Sequence, residues 1–219
     1  MDDARLTRRD SLLRLGGFAI AAIGLRGAAP ADAASVACIL TPEQTEGPYY
    51  IAGEKFRRNI TDGHPGAALL LRTTVVDAST CQPIKNAAVD IWHADAAGVY
   101  SGFRSGASRR TFMRGVQRTN AKGVAEFRTV YPGWYQGRTV HIHVKVHAGG
   151  SIVHTGQLYF NDALTDKVYR QAPYSSRPNR DVRNAQDMIY RNGGSRSLVK
   201  VRKSSAGVYV GTITIGGRR

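Results

Sequence analysis

The sequence predicts an all-β protein, a β-sandwich of antiparallel or mixed sheets with long loops and little helix. Seven short runs rich in Val, Ile, Thr and Tyr recur along the chain. Clusters of turn residues such as Asp77-Ala78-Ser79, Asn120-Ala121-Lys122-Gly123 and Ala148-Gly149-Gly150 separate them. Few stretches carry a helical period, which favours two packed sheets over a layered α/β fold.

Taken in order, the first element stands outside the fold. Arg5, Arg8, Arg9 and Arg14 precede an apolar, uncharged run over 15–25, and Ala31-Asp32-Ala33 supplies an A-x-A cleavage pattern. Thr7-Arg8-Arg9-Asp10-Ser11-Leu12 resembles a twin-arginine export signal, with Ser11 where Phe is common. The run is too short to span a bilayer, so no stable membrane anchor is expected. Residues 1–33 therefore read as a signal peptide and 34–219 as one domain, exported to the periplasm or the exterior. An irregular arm over 34–62 contains Thr45-Glu46-Gly47-Pro48-Tyr49-Tyr50. Strands are expected over 69–76, 88–92, 124–130, 139–146, 152–160, 197–201 and 208–215. A helix is expected over 164–171, with a second short helix or a long loop over 180–191.

Charge and cysteines narrow the setting. The net charge is +15, but Lys and Arg are scattered and no basic helix or RNP-like aromatic motif appears, so no nucleic-acid partner is expected. A basic surface suits anionic aromatics, wall polymers or lipid headgroups. Cys38 and Cys81 are the only two cysteines, and an even count in an exported chain predicts one disulfide between them.

The chemistry concentrates in residues 135–143. His141 and His143 alternate with apolar residues, so both imidazoles project to one face of a strand, their Cα atoms ~6.6 Å apart at ~3.3 Å per residue. The plain alternative is a polar strand face. Tyr135 and Arg138 at the same end of the strand favour a metal site. A phenolate beside imidazoles suits a hard, oxidised metal, whereas zinc usually collects His, Cys and carboxylates; a copper or zinc His-x-His protein remains the weaker reading. Tyr100, by its own context, reads as a loop aromatic. Tyr131 reads as packing, Asp90 and Asp95 as strand-edge and turn contacts, and His147 as exposed or structural. His93 is expected to face away from Trp92, and His64 and His154 have no recognisable partner.

Four segments together resemble a known family. These are Val89-Asp90-Ile91-Trp92-His93 running on to Tyr100, Tyr131-Pro132-Gly133-Trp134-Tyr135, Arg138-Thr139-Val140-His141-Ile142-His143, and Gly156-Gln157-Leu158-Tyr159-Phe160. Their order and spacing resemble the intradiol ring-cleavage dioxygenases, non-haem Fe(III) enzymes that open catechols between the two hydroxyls. The likeness runs from Thr45 to Asp187 and points to an exported, single-domain branch. It implies Tyr100, Tyr135, His141 and His143 as iron ligands and Arg138 as the cation facing charge that develops on the substrate. It also implies Gln157 as the partner of that arginine, and Gly47, Pro48 and Tyr49 as a pocket-bordering arm. Tyr135 is expected to move a proton as well as bind metal. A catechol-type substrate and O2 are the implied partners, a cis,cis-muconate-type acid the product, and a homodimer a family habit. The competing reading is a non-catalytic exported sandwich that binds aromatic or wall polymers.

Overall fold

The computed structural model describes residues 41–103, 107–177 and 179–218. The expected signal peptide, its cleavage point and Cys38 lie outside the described residues. Two four-stranded sheets form a sandwich. One holds β4 (Val124–Val130), β1 (Ala68–Asp77), β8 (Tyr209–Gly217) and β7 (Lys200–Lys203), in that order. The other runs β3 (Arg114–Arg118), β2 (Ala88–Trp92), β5 (His141–Ala148) and β6 (Ser151–Tyr159). All pairings are antiparallel except β1 with β8.

The core follows from alternation. Leu69, Leu71 and Val75 of β1 and Phe127 of β4 meet Val89 and Ile91 of β2 and Ile142, Val144 and Val146 of β5 in one buried cluster. Each such side chain contributes roughly 1.5–3 kcal/mol on leaving water. Because Ile142 and Val144 point into the core, His141, His143 and Lys145 must point outward. They are nevertheless buried, because the arm crosses that outer face. Gln44 N donates to Thr155 O at 3.0 Å, Gln157 Nε2 to Thr45 O at 3.0 Å, and Lys145 pairs with Glu46.

Three elements differ from the expectation. β3 was not expected, because Arg-Gly-Val-Gln-Arg carries a single bulky apolar residue, yet it is an edge strand paired to β2. Residues 197–201 do not make one strand. A 3-10 turn over Gly194–Ser197 precedes the short, basic edge strand β7, whose lysines discourage edge pairing. The helix α1 spans Asp162–Tyr169, two residues early, because the Asn161 side chain accepts from Ala163 N and Leu164 N and sets its start. Within 180–191 only α2 (Met188–Arg191) and a 3-10 turn over Asn184–Gln186 form.

Candidate metal centre and substrate cavity

The first two donors lie on β5, side by side. His141 Nε2 and His143 Nε2 are 3.0 Å apart, and Tyr135 Oη lies 3.3 Å from His141 Nε2. Tyr135 comes from the loop before β5, whose turn is closed by the Arg138 N to Tyr135 O bond at 3.3 Å. Tyr100 arrives from the loop after β2, its ring 5.4 Å from that of Tyr135 and 6.2 Å from that of His143. That loop is built by Asp95, whose carboxylate accepts from Ala97 N and Val99 N, both at 2.9 Å. Gly133 lies so close to the Asp95 and Ala96 backbone that a Cβ there would collide with it. The four side chains named from the resemblance thus meet in one place.

Their protonation suits a cation. His141 Nδ1 lies 2.7 Å from Thr139 O, so it carries the proton and leaves the Nε2 lone pair turned inward. Burial, then Arg138, pushes the His141 imidazole down to about 3. Burial, then His141, pushes His143 well below the usual range. Both rings are therefore neutral near pH 7, with ring nitrogens too close for two bare lone pairs. Burial, then the Tyr135 phenol, raises Tyr100 well above 10, and burial likewise raises Tyr135 despite the opposing Arg138. The Tyr100 hydroxyl and His143 Nδ1 are buried without a hydrogen-bond partner, and an orphaned buried hydroxyl costs ~1–3 kcal/mol. A bound cation would turn the phenols to phenolates and remove that cost at Tyr100. Among the described residues no trio of His, Cys, Asp or Glu side chains is grouped to hold a metal. Two imidazoles with two phenols fit a hard, oxidised ion.

Hydrogen bonds tie the surrounding residues together. Arg138 Nη2 donates to Gln157 Oε1 at 2.6 Å and Arg138 Nε to Asp187 Oδ2 at 2.8 Å. Burial works against the Arg138 cation, but the Asp187 bond and nearby phenols outweigh it and raise its pKa. Asp187 also accepts from Thr139 N at 2.8 Å, and from Ile189 N and Tyr190 N at the start of α2. Sequence reasoning gave Asp187 no role. The signal was there: an Asp directly before a short helical segment is an N-cap. Burial would raise its carboxyl, but the bonds from Arg138, Tyr190 N and Thr139 N hold it below the usual range.

The arm completes the site. Gly47 adopts φ 73°, and a Cβ there would sit 3.1 Å from His143 Cε1, so a side chain would press on that imidazole. Tyr49 stacks on Tyr100 at 4.2 Å between centroids and lines the cavity. Of the four residues expected to border the substrate, only Tyr49 lines this cavity; Pro48 is exposed, and Gly47 and Arg138 lie off its wall. Arg114, missed as a functional residue, is 1% exposed; it donates to Ser101 O through Nη2 at 2.8 Å and to Tyr49 O through Nη1 at 2.7 Å, tying arm to Tyr100 loop. A cavity of about 820 Å³ opens beside the centre, lined by Tyr49, Tyr100, Tyr135, Phe103 and Arg177 among others.

The remaining sequence-selected residues fall elsewhere. Tyr131 is core, its hydroxyl 2.8 Å from Thr165 Oγ1. His93 is buried between Ala94 O and Thr129 Oγ1, at 2.8 Å from each. His64 does have a partner, contrary to expectation: its Nδ1 lies 3.1 Å from Asp95 Oδ2 and its ring stacks on Phe112 at 3.8 Å. Asp90 is no simple strand-edge contact. It sits buried near Tyr50, Glu54 and Arg114, and burial, then Glu54, raises it to about 7. Cys81 lies at φ 60° in the turn after β1. No free cysteine occurs among the described residues.

Known proteins carry the same pattern. The dioxygenase family model matches residues 45–188. The chain is 32% identical over 161 residues to the catechol 1,2-dioxygenase of Acinetobacter baylyi, covering 63% of this chain and 51% of that protein. It is 36% identical over 111 residues to catechol 1,2-dioxygenase 2 of Acinetobacter lwoffii, covering 45% and 38%. The chain thus spans about half the length, or less, of these curated relatives. Among solved structures, an intradiol ring-cleavage dioxygenase from Tetranychus urticae superposes with TM-score 0.79 at 34% identity, over 83% of this chain and 95% of that one. The dioxygenase domain of a carbohydrate-binding fusion protein from Streptomyces sp. SirexAA-E gives TM-score 0.63 at 32% identity, over 82% and 98%. With the matched segment spanning both tyrosines, both histidines, Arg138 and Gln157, the chain belongs to the intradiol ring-cleavage dioxygenase family.

Proposed function

We propose that this protein is a non-haem Fe(III) dioxygenase that cleaves a catechol-type aromatic between its two hydroxylated carbons. The observation that carries the reading is the convergence of Tyr135 Oη and His143 Nε2 on His141 Nε2, at 3.3 and 3.0 Å, with Tyr100's unpartnered hydroxyl buried nearby. Tyr100, Tyr135, His141 and His143 would hold the iron. Held there, ferric iron would supply the Lewis-acid and redox chemistry that lets a catechol react with O2, with both oxygen atoms entering the product.

The chain's own residues do the rest. The neutral imidazoles offer lone pairs without losing a proton. Tyr135 is only part-buried and faces the cavity, so its phenolate oxygen is the base that accepts a catechol proton. Tyr100 is buried beneath Tyr49, with only an edge on the cavity, and stays in place. Arg138, held on two sides by Gln157 and Asp187, presents a fixed cation to charge growing on the substrate; one such donor is worth about 3–4 kcal/mol in comparable sites. Trp134, its Nε1 bonded to Arg177 O at 2.9 Å, fixes the loop carrying Tyr135.

The setting belongs to the same proposal. The arginine-rich start, its apolar run and the A-x-A pattern support export through the twin-arginine route. A Cys38–Cys81 disulfide would then tether the arm to the turn after β1. Among the described residues no helix is long and apolar enough to cross a membrane. The test is oxygen uptake by the iron-loaded protein with catechol. The expected product is cis,cis-muconate labelled at both new oxygens when ¹⁸O₂ is supplied. Binding of catechols with no oxygen uptake would instead support a non-catalytic module.

A further inference from the structure

The cavity is larger than its chemistry requires. Roughly 300–1,000 Å³ is the range that holds a drug-sized ligand, and a single catechol ring would fill only part of about 820 Å³. Beyond Tyr100 and Tyr135 the wall is made by the loop Ala97-Gly98-Val99, by Phe103 and by Arg177. Phe103 is 45% exposed at the rim and meets Tyr49 edge-on at 5.3 Å. Arg177 is the one charged residue lining the cavity among the described residues. Its Nη1 is spent on the wall, on Ala97 O and on Trp134 O at 3.1 Å, and its guanidinium lies 4.2 Å over the Trp134 ring. No described acceptor takes Nε or Nη2. A half-buried, stacked guanidinium with free donors, in a cavity whose described lining holds no carboxylate, is placed to take a planar anion in a fork.

We propose that the outer part of the cavity is a subsite for a ring substituent, and that its preferred occupant is a catechol whose side chain ends in a carboxylate bonded by Arg177. Phe103 would cover the apolar link between ring and carboxylate. The proposal rests on the ring-cleavage reading. Arg177 acts as a specificity residue: it would lower KM for acidic substrates and would not touch the reacting carbons.

The test compares two catechols of one shape, 3-(3,4-dihydroxyphenyl)propanoate and its methyl ester, with unsubstituted catechol as reference. Oxygen uptake by the iron-loaded protein should favour the acid by about tenfold in kcat/KM, mainly through KM, with the preference shrinking as salt rises. Arg177→Gln should bring the acid-to-ester ratio close to one, and Arg177→Lys should keep most of it. Trp134 lies under Arg177, so anaerobic titration followed by tryptophan fluorescence should show the acid binding more tightly than the ester, a difference lost in Arg177→Gln. Equal turnover of acid and ester by the unaltered protein would overturn the subsite. So would equal loss of the ratio in Gln and Lys variants, which would make Arg177 a wall fastener only. No oxygen uptake with any of the three would instead sink the ring-cleavage reading itself.

Discussion

Replacing Asp187 by Asn probes the shell that holds Arg138. Oδ2 accepts from Arg138 Nε and Thr139 N, each at 2.8 Å; Oδ1 accepts from Ile189 N at 2.8 Å and Tyr190 N at 2.9 Å. Asn has one oxygen, so whichever way it turns, its amide group faces two donors. The Asp187 side chain is 0% exposed and that of Arg138 17%. Removing one partner of a buried pair costs ~3–5 kcal/mol, and a bond to a charged group ~1.5–3 kcal/mol. Arg138 retains Gln157 and some solvent, so we expect a loss of about 3 kcal/mol near pH 7. The sign with pH is fixed. The Asp187 carboxyl titrates below 3.8 in the fold, so its contribution is present above that value and fades as pH falls through the folded pKa. Urea unfolding of the metal-free protein and Asp187→Asn near pH 7 and near pH 3 measures this. A loss below about 0.5 kcal/mol at neutral pH, the size of a neutral surface change, would refute the reasoning. So would an equal loss at both pH values.

Other outcomes follow from the same geometry. Gly47→Ala places a Cβ 3.1 Å from His143 Cε1 at φ 73°; we expect about 1–2 kcal/mol of destabilisation and weaker iron retention, read by thermal melting and metal analysis. Asp90→Asn should stabilise the protein above pH 7, because the folded carboxyl titrates at about 7 against 3.8 unfolded, so ionising it in place is unfavourable. The gain, of order 2–4 kcal/mol, should disappear below about pH 4; a gain independent of pH would count against a buried, destabilised carboxylate. Gln157→Leu leaves Arg138 Nη2 without its 2.6 Å acceptor, and should lower kcat about 10–100-fold with KM changed less.

How much of this was legible depended on how far each residue acts along the chain. His141 and His143 declared themselves because strand period 2 puts them on one face, and the surrounding apolar alternation fixes which face. Arg138 and Tyr135 were near enough to share that reading. Tyr100 was not, since its place depends on the loop that Asp95 folds, and only the resemblance supplied it. Asp187 has a local signal as an N-cap, but that signal does not announce its reach across 48 residues to Thr139 N. Arg114 hid for a different reason. An arginine in a short polar stretch reads as surface, whereas here three backbone and side-chain oxygens of Ser101 and Tyr49 satisfy it in the interior. The overlooked strand β3 has the same cause. The arm was seen as irregular chain, and its burial of the outward histidines follows from Gly47 passing where a side chain would not fit.

The central claim is a ferric ion held by two phenolates and two imidazoles. Visible absorption of the iron-loaded protein tests it most directly, because tyrosinate-to-Fe(III) charge transfer colours such a site red-brown. A visible band is expected at stoichiometric iron, weakened and shifted in both Tyr100→Phe and Tyr135→Phe. Stoichiometric iron with no visible band, or a band unchanged by both substitutions, would contradict it.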